Sequence, residues 1–82
     1  MKEKEYEITI NTEPFTVEAE TVTYKQIAIL AYPELENDPK AEFSITYENA
    51  HSKPKDGTMG ENSTIEVKKK GTIFDVTPTN RS

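Results

Sequence analysis

Apolar residues recur at helical spacing in one stretch of this chain, and elsewhere they alternate. Tyr24, Ile27, Ala28 and Ala31 stand at i, i+3, i+4 and i+7, with Leu30 beside them, which gives a helix one apolar stripe. Thr23 is the expected N-cap, and Gln26 three residues on completes the capping-box spacing. Lys25 and Gln26 fall towards solvent. Tyr32-Pro33 ends the segment, because proline pushes the residue before it out of the α region. A helix of about two to three turns is marginal in water on its own. Its stripe must rest on a sheet.

The alternating segments supply that sheet. Residues 6–11 (YEITIN) put Tyr6, Ile8 and Ile10 on one side and Glu7, Thr9 and Asn11 on the other. Residues 11–14 (NTEP) read as a turn, with Asn bonding locally and Pro fixing φ. Alternation resumes at 15–18 (FTVE), so the two strands form a hairpin. Beyond the helix, 35–41 is an acidic loop containing Pro39. Residues 42–47 (EFSITY) form a third strand, with Phe43, Ile45 and Tyr47 inward and Ser44 and Thr46 outward. Residues 49–63 are rich in small polar residues, with two glycines, and read as a loop. Residues 64–67 (TIEV) make a short fourth strand, Lys70-Gly71 a turn, and 72–77 (TIFDVT) a fifth strand. Phe74 and Val76 alternate there with Asp75 and Thr77, and regular pairing fades at Pro78, which has no backbone donor.

The element order β-β-α-β-β-β describes an α+β domain, a mixed sheet with one helix packed across it. The expected core is Tyr6, Ile8, Ile10, Phe15, Val17, Ile27, Leu30, Phe43, Ile45, Ile65, Phe74 and Val76, with Val22 stapling the helix start onto the sheet. The domain is expected over 6–77, after a flexible charged lead (1–5) and before a flexible tail (78–82). Exposed sheet edges are expected at the Phe15 and Ile65 strands.

Composition removes several functions. Eighty-two residues form one small domain, which buries only about 60 to 65% of its unfolded surface and has little room for an enclosed catalytic pocket. The net charge of −5 argues against nucleic acid as a partner, and Lys68-Lys69-Lys70 is too short a basic run to reverse that. The absence of cysteine excludes disulfides and thiol chemistry and suits a reducing compartment. No apolar run approaches the roughly 18 residues needed to cross a bilayer, and the first five residues lack a signal-peptide core. A cytoplasmic protein with no membrane partner is the expectation.

Chemistry is sparse. The single histidine, His51, lies in the polar loop without a second histidine, a cysteine or a carboxylate at ligand spacing, so no metal site is expected. The fifteen acidic residues fall mostly on outward positions or in loops, where nothing separates their pKa values for acid–base work. The two glycines of Asp56-Gly57-Thr58-Met59-Gly60 do not lead into a helix, so a phosphate loop is not expected. They read as a turn, or as a tight turn before a very short strand. No catalytic residue, cofactor or enzyme activity is expected.

The order of elements resembles the ubiquitin-like β-grasp. Residues 6–18 (YEITINTEPFTVE), 23–27 (TYKQI), 42–49 (EFSITYEN) and 71–82 (GTIFDVTPTNRS) are similar to the bacterial multiubiquitin domain family over nearly the whole chain. The resemblance implies a ubiquitin-like modifier, itself a substrate of an ATP-dependent activating enzyme, a conjugating enzyme and a JAB-type isopeptidase. Its terminal carboxylate would be adenylated and passed to an unknown acceptor, directly or after C-terminal processing. By that resemblance the conjugation tail is Thr77, Pro78, Thr79, Asn80, Arg81 and Ser82, which when extended reach roughly 20 Å. Ubiquitin and sulfur carriers end in Gly-Gly; this sequence ends in Asn80-Arg81-Ser82, which argues against a sulfur carrier. The expected partner-facing sheet surface carries Ser44, Thr46 and Asp75, polar where ubiquitin is apolar, with Ile73 the exception. The alternative is an adaptor that is not conjugated and binds a protein through its sheet or an edge strand.

Overall fold

The first and last strands lie side by side. The computed structural model describes residues 5–79 and contains β1 (Tyr6–Ile10), β2 (Glu13–Val17), β3 (Thr21–Thr23), α1 (Tyr24–Ala31), a 3₁₀ turn (Pro33–Leu35), β4 (Phe43–Glu48), β5 (Gly57–Met59), β6 (Thr64–Glu66) and β7 (Lys70–Pro78). The main sheet has the order β2-β1-β7-β4-β5, and β3 and β6 form a separate two-stranded sheet. The β1–β7 pair is parallel and the other pairs are antiparallel. The expected mixed sheet with one helix across it, a β-grasp, is what the chain forms. No helix among the described residues is long and apolar enough to cross a membrane.

The helix starts where the capping box places it. Gln26 N–H donates to Thr23 Oγ1 at 3.2 Å, and Thr23 N–H donates to Gln26 Oε1 at 2.9 Å. Ile27 and Ala28 are buried under it, and Pro33 converts its end into the 3₁₀ turn. Alternation delivers most of the core: Tyr6, Ile8, Ile10, Ile45, Ile65, Phe74 and Val76 are buried, while Phe15, Val17, Leu30 and Phe43 are half-buried around them. Val22 is buried, in keeping with its expected staple role.

Several boundaries differ from the sequence reading. The loop at 49–63 contains β5, which pairs with residues 45–47 of β4 and buries Met59, so the very short strand is the outcome at Gly57. The Ile65 strand pairs with β3, leaving β2 and β5 as the edges of the main sheet. Lys70-Gly71 is a bulge within β7: Glu7 faces Lys70 but Ile8 faces Thr72, and the extra residue Gly71 has φ of +102°, open to glycine. Thr72 is fully buried and satisfied, its hydroxyl accepting from Lys68 N–H at 3.0 Å and donating to Asn49 C=O at 2.9 Å.

The first hairpin is tighter than expected. Ile10 faces Glu13, so the loop is Asn11-Thr12 alone and Pro14 lies inside β2 opposite Thr9. Both loop residues have positive φ, 52° and 71°, the pattern of a type I′ turn. Asn tolerates that region, whereas a β-branched threonine is strained in it. Thr12→Gly should therefore stabilise the domain by about 1 kcal/mol. A urea unfolding midpoint that stays level or falls would contradict this account of the turn.

Candidate functional site

The expected conjugation tail begins inside the sheet. Thr77 faces Ser44 and Pro78 faces Phe43, both as residues of β7, and Thr79 N–H donates to Glu42 C=O at 2.8 Å. Two residues assigned to the tail are thus paired strand, and a third is tethered to the residue before β4. The antiparallel pattern explains how proline fits. Thr79 bonds towards β4, so Pro78, one position earlier, turns its missing donor away from β4 and interrupts no ladder bond. Asn80, Arg81 and Ser82 lie outside the described residues. Three residues span at most about 10 Å when extended, half of the reach expected for six.

On its other side, β7 outruns its neighbour. Regular pairing with β1 ends at Ile10 opposite Phe74, followed by one bond from Asn11 N–H to Phe74 C=O at 3.0 Å. The Asn11 side chain then replaces a strand. Its Nδ2 donates to Val76 C=O at 3.0 Å, and its Oδ1 accepts from Val76 N–H at 2.8 Å. A single carboxamide satisfies both backbone groups of a buried residue. Past Val76, β7 is held from the β4 side only.

Three half-buried aromatic residues brace the neighbouring start of β4. Tyr24 Oη accepts from Phe43 N–H at 2.8 Å and donates to Phe43 C=O at 3.1 Å, closing the first residue of the strand against the helix. Tyr32 stacks on Phe43 with centroids 5.8 Å apart, and its Oη donates to Val76 C=O at 3.5 Å. Sequence spacing places Asn11 at the outward end of the first strand and in its turn, and Tyr24 and Tyr32 on the helix and at its end. Their bonds to β4 and β7 join positions 19 to 65 residues apart, which local spacing does not encode.

The expected partner-facing residues Ser44, Thr46 and Asp75 are exposed on the outward face. Ser44 stands opposite Thr77 and Thr46 opposite Asp75, so they form adjacent polar cross-strand pairs beside the strand that leads to the tail. Ile73 is the exposed large hydrophobic residue among them, at 37% exposure.

Away from this surface, an apolar groove of about 550 Å³ includes Val17 and Val22 on one wall and Ile29 and Leu30 of α1 on the other. The adjacent edge, β2, is guarded. Counting outward from the tight turn, Pro14 sits in a non-hydrogen-bonded pair, so its missing donor faces the free edge and weakens it as a template for an added strand. The Lys68-Lys69-Lys70 run leads into β7, with Lys69 and Lys70 exposed.

A mixed sheet crossed by one helix, with its last strand central, defines a ubiquitin-like β-grasp domain. The chain belongs to the multiubiquitin family, whose model matches residues 6–80. No curated protein and no solved structure matches it.

Replacing Asn11 by glycine keeps the left-handed turn residue and removes the carboxamide. Asn11→Gly should cost about 1–3 kcal/mol, because it leaves Val76 N–H without a partner and Val76 C=O with only the longer bond from Tyr32 Oη. It should also raise hydrogen exchange at the Val76 amide more than at amides in the middle of β1. Unchanged protection at Val76 would show that the side chain does not hold the strand.

Proposed function

We propose that this protein is a ubiquitin-like modifier whose C-terminal carboxylate is activated and joined to an acceptor. The observation that carries this reading is the way β7 leaves the sheet. A buried, fully paired strand is held at Val76 by Asn11 and continues as a thin polar segment paired on one side only. Family membership supports the same reading. In the reaction, a carboxylate oxygen attacks the α-phosphate of ATP and pyrophosphate leaves. A nucleophile of the conjugating machinery or acceptor then attacks the acyl carbon of the adenylate, takes the acyl group and releases AMP. The chain supplies the acyl group and a recognition surface, and the chemistry belongs to its partners. These would be an activating enzyme, a conjugating enzyme and a JAB-type isopeptidase.

The geometry gives such a substrate a defined hinge. Releasing the tail beyond Val76 requires breaking only the bonds to β4 and the Thr79–Glu42 bond, while the core below Asn11 stays closed. Peeling restores the six-residue reach of roughly 20 Å. The polar pairs Ser44–Thr77 and Thr46–Asp75 beside this hinge suit recognition by hydrogen bonding rather than by an apolar patch.

The adaptor reading has one observation in its favour, the apolar groove between Val17, Val22 and α1. The two readings separate on one deletion. With the cognate activating enzyme, ATP and magnesium, the full chain should give an adenylate or covalent adduct by mass spectrometry. A form ending at Thr79, which keeps every described strand pair, should give none. Equal reaction of both forms would overturn the modifier reading. Partner binding that survives the deletion, with no adduct from either form, would establish the adaptor.

A further inference from the structure

The minor sheet brings together three side chains that the modifier reading does not use. Glu20 precedes β3, His51 lies in the bend after β4, and Glu66 is the last residue of β6. Each offers one ligand atom, and these atoms all lie within 4.8 Å of one another. The absence of a carboxylate at ligand spacing in the sequence is thus reversed by folding, which brings two carboxylates to the only histidine.

The backbones of the three residues are fixed independently of their side chains. Glu20 C=O accepts from Val67 N–H at 2.8 Å, and Glu66 C=O accepts from His51 N–H at 2.8 Å and from Ser52 N–H at 3.4 Å. Thr21 pairs with Glu66 across the minor sheet. Each segment is anchored by a buried neighbour: Val22 near Glu20, Ala50 beside His51, Ile65 and Val67 either side of Glu66. Closing a ligand set here orders only exposed side-chain rotamers, because the main chain is already in place.

We propose that Glu20, His51 and Glu66 form a binding site for a first-row divalent transition-metal ion of the zinc class. One imidazole nitrogen and two carboxylates make a donor set that suits such ions, whereas magnesium and calcium prefer oxygen ligands throughout. Three protein ligands leave a coordination position for water. The cation also relieves the repulsion between two neighbouring carboxylates. All three residues are exposed, which suits reversible loading. A bound ion would tie β3, β6 and the loop after β4 together. The inference stands independently of the modifier reading.

The composition makes the test clean, because the chain has one histidine and no cysteine. Untagged protein is titrated with cobalt(II) and zinc(II), with metal binding followed by calorimetry and the imidazole followed by NMR. Saturable binding of one ion per chain, with His51 ring signals perturbed, is expected. Magnesium at the same concentration should not compete. His51→Ala, Glu20→Gln and Glu66→Gln should each weaken binding by about tenfold or more. Their structural bonds are made by the backbone, so the amide signals of the core residues Ile45 and Phe74, in the main sheet, should stay in place and report an intact fold. Absence of saturable binding, affinity unmoved by His51→Ala, or equal competition by magnesium would overturn the proposal.

Discussion

The placement of β7 between β1 and β4 is the constraint on which the rest of this domain depends. Those two strands are each paired to β7 and not to each other, so the main sheet exists only through it. A strand flanked on both sides has its backbone bonds satisfied on both sides and presents one full row to the core. Thr72, Phe74 and Val76 form that row, all at 2% exposure or less. The hydroxyl in the row is tolerated because Lys68 and Asn49 satisfy it. The helix then needs only a short amphipathic stripe to close the opposite side.

How much of this was legible followed from how many side chains carried each signal. β1, β4, β7 and α1 could be read because each shows several apolar residues at its own period. β3 and β5 have three residues each, too few to alternate visibly, and they exist because Glu66 and Ile45 lie opposite them. Ala50 and Met59 carry no such signal, since isolated apolar residues among polar ones show no period, whereas buried Val67 simply continues the alternation of Ile65. Pro14 carries a turn signal because proline favours turns, yet a free edge accepts it equally well.

The candidate site was half legible. Sequence located the polar end of the last strand and the outward row Ser44, Thr46 and Asp75. It could not say where pairing stops, since that depends on what stands opposite. Ser44, Phe43 and Glu42 extend the hold on one side, and on the other the Asn11 carboxamide ends it at Val76. The Glu20–His51–Glu66 cluster was invisible for a related reason. Its members are scattered along the chain, and only the pairing of β3 with β6 makes them neighbours.

A central strand that comes last also imposes an order in time. Until residues 70–78 are available, the β1–β2 and β4–β5 hairpins have no common neighbour, and their apolar rows wait in contact with water. The parallel β1–β7 pair joins residues near opposite ends of the described chain, a contact that forms slowly because most of the polypeptide must close into one loop first. Chains interrupted before β7 would expose unpaired strand edges and be prone to aggregate. The segment beyond Thr79 is therefore preceded by the very strand whose arrival completes the fold. A chain that presents it has already made everything needed to be a finished domain.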